Sequence, residues 1–261
     1  MDTQQQRSWR ILLIGDHCLD VYHYGVCDRL SPEAPVPVLK QHSVEVKMGM
    51  SSNVALNLKA FGIKVNHQKN GDVLKKHRLI DLKSNQHLVR FDEGEDRLLE
   101  EIKIKRVEHA HKMDAVVISD YNKGFLRHDS ISKICEIFKD YPIFADTKKQ
   151  DLSCFSGCHI KVNEKEFKNI KKLPKDSKFI VTLGEKGALY QNKSYPVIKT
   201  EVFDVCGAGD VFLASLVYGF LSRGSIEEAI PLANQCAAYS VSKIGTYVLT
   251  REDLKSLEVV K

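Results

Sequence analysis

A short glycine-rich segment is the strongest chemical signal in the sequence. It reads Asp204-Val-Cys-Gly207-Ala208-Gly209-Asp210 and runs directly into an apolar stretch that ends at Leu221. Glycines let the backbone approach a ligand closely, and the free amides at the start of a helix stabilise an anion. The segment therefore predicts an anion hole for a transferring phosphoryl group, beside which Asp210 would accept the proton of an attacking hydroxyl.

Two plainer interpretations of this segment stay open from the residues alone. Gly207 and Gly209 could simply form a strand-to-helix turn, with Asp210 as a capping residue. Cys206 could be a reactive thiol beside the anion hole or a small side chain that packs there.

Four short apolar runs are typical of buried strands, and helical patterns separate them. The runs cover residues 11–14, 115–118, 142–145 and 179–183, and polar residues or glycine lie at or just after their ends: Asp16, Asp20, Asp120, Asp146, Asn163 and Gly184. The stripe from Val54 to Phe61 predicts a helix capped by Ser51 or Ser52 and ended by Gly62. This alternation predicts an α/β fold with a mostly parallel central sheet, helices on both faces and ligands at the carboxyl ends of the strands.

Two segments do not fit the alternation of strand and helix. They span about residues 22–47 and 78–100, and the first carries three prolines and alternating valines. We expect them to pair as a small β lid appended to one domain that spans residues 1–261. No internal repeat or flexible linker divides the chain.

Composition excludes several classes of protein. The chain has 261 residues, of which 43% are hydrophobic and 28% charged, as expected for a folded globular domain. Its net charge of +5 and its seven scattered cysteines, without a C-x-x-C pair, give little support to a nucleic-acid partner or a zinc site. The sequence shows neither a transmembrane stretch nor a secretory signal, so we expect a cytoplasmic protein without a membrane partner.

The glycine-rich segment resembles the D-T-x-G-A-G-D signature of the ribokinase/PfkB carbohydrate kinases, and the resemblance extends from Ile14 to about Leu254. Its nearest branch is the kinases of D-glycero-D-manno-heptose 7-phosphate, which supply ADP-heptose for lipopolysaccharide. The strings that carry it, in family order, are 15–20 (G-D-H-C-L-D), 29–38 (R-L-S-P-E-A-P-V-P-V), 53–57, 88–92, 119–124, 146–148, 163–166, 181–187 and 243–246.

The resemblance implies ATP-dependent phosphorylation of the anomeric hydroxyl of the heptose phosphate. It places ATP against Asn163, Glu164, Lys165, Glu166, Thr182, Gly184, Lys186 and Gly187, with Glu166 also holding Mg²⁺ through water. It places the sugar against Asp16 and Asn53, and Asp20 is a further candidate because it supplies a short polar group near the same strand end. The substrate phosphate would bind Arg29, Arg90 or Lys123, each of which could instead form a surface salt bridge. Activation by K⁺ stays open, and a homodimer through the lid is expected.

The sequence departs from the family pattern at two places. Only residues 63–76 cover a span in which the family has a strand, a turn, a helix and another strand, so about 25 to 30 residues are missing. Met50 stands where the family has the second of two glycines, which could block the backbone approach to the sugar. Kinases of another sugar, or a degenerate homologue that binds ligands without turnover, are therefore the alternatives.

Overall fold

The computed structural model describes residues 8–71, 74–96 and 98–260. Its strands are β1 Arg10–Gly15, β2 His17–Leu30, β3 Pro37–Met50, β4 Lys64–Lys69, β5 Leu74–Asp81, β6 Gln86–Glu93, β7 Ala115–Asp120, β8 Ile143–Thr147, β9 His159–Asn163, β10 Lys178–Thr182, β11 Ala188–Tyr190 and β12 Lys193–Tyr195. Its α-helices are α1 Ser51–Ala60, α2 His128–Ile137, α3 Glu164–Lys168, α4 Ala208–Arg223, α5 Ile226–Val241 and α6 Arg251–Ser256.

Eight strands form the central sheet in the order β12-β11-β10-β9-β8-β7-β1-β4. From β10 to β4 every pairing is parallel, and only the β10–β11 and β11–β12 pairings at one edge are antiparallel. All four residues from Ile11 to Ile14 are fully buried, because helices and connecting segments cover both faces of the sheet. The predicted α/β fold with a mostly parallel sheet is confirmed.

Side chains of β1 alternate between two hydrophobic cores. Ile11 and Leu13 pack in the core that contains α1, α4 and α5, whereas Leu12 and Ile14 pack in the core that contains α2. Helix α4 packs against α5, α1 and strand β8 and is buried from Asp210 to Gly219. An almost entirely apolar helix is stable only in such a position, and its N-terminus is thereby fixed at the carboxyl edge of the sheet.

The second sheet is the predicted lid, with four strands in the order β3-β2-β5-β6. Its strands begin and end beyond the expected segments, since β2 starts at His17 and β3 runs to Met50. One face carries the exposed apolar residues Val44, Val46, Met48, Val89 and Phe91. The opposite face carries charged residues, among them Asp20, Lys76 and Arg78, and this face is turned toward the carboxyl edge of the central sheet.

Helix α1 begins differently from the sequence prediction. Ser51 and Ser52 are its first two residues, and Met50 is the N-cap, without a side-chain capping bond. The predicted serine cap is therefore wrong. Met50 has φ 55° and ψ −135°, a backbone conformation that almost only glycine adopts without strain. The predicted end is correct, because Gly62 follows the helix with φ +79°.

The shortened span after Gly62 contains a single strand of the central sheet. β4 leads to the lid strand β5 within a few residues, so β4 is left as the edge of the sheet. Its sequence alternates, with Val65 and His67 toward one core and Asn66 and Gln68 on the other face, where Gln68 donates a hydrogen bond to Asn66. The polar side chains suit a strand face that no further helix covers.

Candidate active site

Asp210 lies in the first turn of α4 and is 3% exposed. One carboxylate oxygen accepts a hydrogen bond from Asn53 Nδ2 at 3.1 Å, and the other accepts one from the Tyr121 hydroxyl at 2.8 Å. Burial raises the pKa of Asp210 to about 6, while these two donors act in the opposite direction. A carboxylate with such a pKa is ionised at neutral pH and is a better base than an exposed aspartate.

Tyr121 joins the two acidic residues that the sequence placed on the acceptor side. Its backbone amide donates to Asp16 Oδ2 at 2.6 Å, and its hydroxyl contacts Asp210. Lys76 and Lys148 each lie 5.5 Å from the centre of its ring. The sequence predicted no role for Tyr121 beyond its place in the 119–124 string, because nothing near it in the sequence indicates a contact with Asp210, 89 residues away.

Asp16 is fully buried at the end of β1. Burial and the neighbouring Asp120 raise its pKa to about 6. Its Oδ1 has no hydrogen-bond partner among the described residues, so this oxygen can accept a bond from a ligand hydroxyl. Asp120 itself accepts bonds from the Asn122 amide and the Thr147 hydroxyl, so it stabilises the turn that follows β7.

Asp20 attaches the lid to the C-terminal part of the chain. It accepts a bond from Arg78 at 2.6 Å and another from the Thr246 hydroxyl at 3.0 Å, and Tyr22 also bonds Thr246. A methyl group at Gly49 would lie 2.4 Å from Asp20 Oδ2, so only glycine fits beside this carboxylate. With both oxygens engaged, Asp20 connects the lid to Thr246 in this structure.

The glycines of the D-V-C-G-A-G-D segment are tightly enclosed. Gly207 has φ +77°, and a methyl group there would lie 2.7 Å from Asn53 Nδ2. The amides of Ala208 and Asp210 donate to the carbonyl oxygens of Val205 and Gly207. Burial raises the pKa of the Cys206 thiol to about 11, with Asp204 acting in the same direction, which disfavours a reactive thiol at neutral pH.

A cavity of about 360 Å³ runs from the predicted nucleotide residues to the anion hole. Asn163, Thr182, Gly184 and Gly187 line it, and so do Ala208 and Gly209. Its remaining wall is largely apolar and was missed by sequence reasoning: Val197, Ile198, Val202, Phe212, Ala237 and Val241. An apolar slot that ends at a helix N-terminus suits a heterocyclic base with a phosphate chain.

The other predicted nucleotide residues lie outside this wall. Asn163 caps α3 in a reciprocal pair with Glu166, whose second oxygen binds the Lys148 ammonium. Lys186 and Lys165 are exposed, and Glu164 pairs with Lys168. The structure thus collects four of the eight predicted ATP residues around the cavity and assigns Glu166 a capping and ion-pairing role.

The donor set fits a Mg²⁺ ion that is held chiefly by phosphates and water. Among the described residues, no group of three or more acidic, histidine or cysteine side chains could hold a metal. Asp146 nevertheless has one buried oxygen without a hydrogen bond, 3.7 Å from Lys148, whose ammonium also binds Glu166. Mg²⁺ in kinases keeps several waters and uses few carboxylates, which agrees with this arrangement.

The three predicted phosphate-binding cations differ in position. Arg90 lies on the inner face of the lid but donates two hydrogen bonds to the Asp92 carboxylate. Lys123 forms an ion pair with Glu95. Arg29 is exposed near the far end of β2, nine residues beyond Asp20 and so roughly 30 Å along an extended strand. The structure therefore does not bring Arg29 to this site.

Comparisons with known proteins identify the family. A model of the pfkB family carbohydrate kinases matches residues 57–253. The chain belongs to this family. It is a carbohydrate kinase, and the family implies ATP and typically Mg²⁺ as cofactors. The predicted resemblance and enzyme class are confirmed.

Relatives and solved structures agree with this assignment. The chain is 32% identical to the bifunctional protein HldE of Nitratiruptor sp. over 95% of its length, and 33% identical to that of Campylobacter jejuni over its full length. It spans 65% and 67% of those proteins. The fold is similar to phosphofructokinase-2 from Escherichia coli (TM-score 0.75, 14% identity, 96% and 98% of the two chains) and to Arabidopsis thaliana ribokinase (TM-score 0.70, 14% identity, 98% and 100%).

The alignment with the Nitratiruptor protein extends over 303 positions, more than the 261 residues of this chain. The relative therefore contains segments that this chain lacks, in agreement with the shortened span after Gly62. Among the described residues, no helix is long and apolar enough to cross a membrane.

Proposed function

We propose that this carbohydrate kinase transfers the γ-phosphoryl group of ATP to the anomeric hydroxyl of D-glycero-D-manno-heptose 7-phosphate, as a step toward ADP-heptose. The observation that carries the proposal is a buried base, Asp210, near a lid whose inner face carries Lys76, Arg78 and Arg90. The similarity to the HldE proteins supports the same substrate class.

The residues of the chain supply a path for the acceptor proton. Asn53 and Tyr121 hold the Asp210 carboxylate by one oxygen each, so that its remaining lone pairs can accept the proton of the sugar hydroxyl. The unpartnered oxygen of Asp16 orients a second hydroxyl. A Mg²⁺ ion held near the free Asp146 oxygen would neutralise charge on the phosphates, and we assign the backbone around Gly209 to the charge that develops on the transferred group.

The inner face of the lid provides a binding site for the phosphate of the substrate. Arg78, Arg90 and Lys123 each pair with a carboxylate, whereas Lys76 has no ion-pair partner among the described residues. Lys76 Nζ lies above the ring of Tyr121, whose hydroxyl reaches Asp210. We therefore assign the substrate phosphate to Lys76 in the first place, with Lys123 and Arg90 as neighbours.

Met50 supports a second candidate, a kinase of a different sugar or sugar phosphate. Met50 is buried, and its backbone has a conformation that suits glycine. It lies directly before the helix that carries Asn53. In the family a glycine at this position lets the backbone approach the sugar closely. The larger side chain of Met50 would change that approach and therefore the choice of sugar. The same comparison of substrates tests both candidates.

The test is ATP-dependent release of ADP with heptose 7-phosphate, unphosphorylated heptose, fructose 6-phosphate, ribose and no sugar, each with and without K⁺. We expect turnover that requires the heptose phosphate. Faster turnover with another sugar would support the second candidate. Thermal stabilisation by ATP without turnover on any sugar would indicate a binding protein and contradict both.

Asp210→Asn is the matched variant for this assay. It keeps the size of the side chain but removes the base, so kcat should fall by about two to four decades. Stabilisation by ATP should persist, because Asp210 lies on the acceptor side. Nearly normal turnover of the variant would exclude Asp210 as the base.

A further inference from the structure

A buried ion pair next to the anion hole contains a lysine, Lys161, that has no role in the function described above. Lys161 on β9 and Asp146 on β8 have side chains only 4% and 3% exposed, and Lys161 Nζ lies 2.7 Å from Asp146 Oδ2. The two residues are also paired across the two strands. Removing an ammonium group and a carboxylate from water is costly, and the pair as such seldom stabilises a fold more than apolar residues would.

The ammonium group of Lys161 lies against the anion hole. A methyl group on Gly209 would come within 2.8 Å of Lys161 Nζ and 3.9 Å of Asp146 Oδ2. Gly209 in turn lines the cavity that also contains Asn163, two residues after Lys161 on the same strand. The cation therefore lies between the nucleotide cavity and the first turn of α4.

The backbone donors of the anion hole are partly engaged. Ala208 and Asp210 direct their amides to carbonyl oxygens of the preceding turn, at 3.3 and 3.0 Å. An ammonium group has three donors, and among the described residues Asp146 accepts the one hydrogen bond that Lys161 donates. The Lys161 ammonium group can therefore donate hydrogen bonds to a phosphate beside Gly209, as the backbone amides can.

We propose that Lys161 is a catalytic residue that binds a nonbridging oxygen of the γ-phosphoryl group during transfer, while Asp146 fixes its position. Asp146 also lies near Lys148, so its carboxylate is held between the ammonium groups of Lys148 and Lys161. The transferred group carries its charge on three oxygens, and a fixed cation in a site shielded from water stabilises that charge without reorganisation. This inference needs only the kinase activity of the family and does not depend on which sugar is the substrate.

The decisive experiment measures the γ-phosphoryl subsite without any sugar. Thermal unfolding of the wild type and of Lys161→Met is compared with ADP and Mg²⁺, and with ADP, Mg²⁺ and beryllium fluoride, which occupies the γ-phosphoryl position. We expect both proteins to be stabilised equally by ADP. The further stabilisation by beryllium fluoride should occur in the wild type and be lost in the variant.

Turnover provides the second readout. Lys161→Met should lower kcat about 10²- to 10³-fold, the effect of removing one donor to a developing oxyanion, with a small change in KM for ATP. Lys178→Met is the matched control, because this exposed lysine begins the neighbouring strand β10. It should keep the kcat of the wild type.

A purely structural ion pair would give a different pattern. Lys161→Met leaves a buried carboxylate and can lower the unfolding temperature, so the double variant Lys161→Met/Asp146→Asn removes both charges. If the double variant keeps the extra stabilisation by beryllium fluoride, Lys161 is only the partner of Asp146 and the proposal is wrong. Loss of that stabilisation in a stably folded double variant supports the proposal when Asp146→Asn alone keeps it, whatever sugar the enzyme uses. The same loss in Asp146→Asn alone would assign the effect to the carboxylate and contradict the proposal.

Discussion

At the scale of single residues, the acceptor side is a set of buried acids whose charges are controlled by neighbours. Asp16 and Asp210 both have pKa values raised to about 6, and burial is the main cause in each. The base must be ionised to accept a proton, so kcat/KM should fall as the pH drops below about 6. Tyr121 contacts both residues and is the side chain through which this profile can be tested.

Tyr121→Phe removes one hydrogen-bond donor from the ionised Asp210 carboxylate. Loss of a donor to the charged form raises the pKa of the base, so the acidic limb of kcat/KM should move upward by about one pH unit. Burial and Asp210 hold the pKa of Tyr121 well above its usual value, so the phenol stays a donor throughout this range. The pH dependence of kcat/KM measures the shift.

Tyr141→Phe is the control for this prediction, since Tyr141 packs in the core around α2, away from Asp210. Its profile should match that of the wild type. An unchanged acidic limb in Tyr121→Phe would mean that the tyrosine does not influence the base.

The sequence predicted the residues whose roles follow from local motifs and missed those that act over long separations. Asp210, Gly207 and Asn53 stand in short strings whose chemistry can be read directly. Tyr121 and Arg78 act through contacts 89 and 58 residues away, and only the folded sheet brings the partners together. Arg29 shows the opposite error. It stands in a string that matches the family, but strand β2 places it far from the site.

At the scale of secondary-structure elements, the start of α1 and the inner face of the lid border the proposed sugar site. The alternation of apolar runs and helical stripes sufficed to predict the central sheet. The cap of α1 could not be predicted, because serine is a good capping residue in isolation. Here tertiary packing buries Met50 at the turn and moves both serines into the helix.

Substitutions at Met50 test the strain in this cap. Met50→Gly and Met50→Ala both lose the buried side chain, but only glycine adopts φ 55° and ψ −135° without cost. We therefore expect Met50→Gly to have a free energy of unfolding about 1 kcal/mol or more above that of Met50→Ala. Unfolding in urea measures the difference. The opposite order would mean that the turn relaxes and stores no strain.

Lys76→Ala tests the lid as the site for the substrate phosphate. We expect KM for heptose 7-phosphate to rise about tenfold or more, the usual effect of losing a charge-assisted hydrogen bond. KM for ATP should not change. Steady-state kinetics with Lys75→Ala provide the control, because Lys75 lies on the opposite face of β5 and pairs with Glu93. Equal effects of the two variants would argue against the assignment.

At the scale of the whole molecule, the lid divides its functions between two faces. The inner face carries charges toward the site, and the outer face exposes valines, Met48 and Phe91, which are between 44% and 56% exposed. An apolar patch of this kind on an edge of the molecule is typical of an interface. We propose that a second copy of this chain covers that face in a homodimer, as the family resemblance implies.

If the proposed dimer forms through this face, Phe91→Asp and Val46→Asp should each convert it to a monomer by placing a charge in the interface. Analytical ultracentrifugation measures the mass of the species in solution. Leu173→Asp is the control, because Leu173 is 66% exposed in a loop outside the lid. A wild-type protein that sediments as a monomer would contradict the proposed dimer.

The bonds of Asp20 and Tyr22 to Thr246 join residues that are 226 and 224 positions apart. A ribosome adding about 5 to 20 residues per second needs roughly 10 to 45 seconds to make the intervening chain. During that interval the lid strands exist without their anchor, and α4 has not yet been made for most of it. A chaperone that binds nascent chains would therefore meet the apolar lid face before the enzyme can bind either substrate.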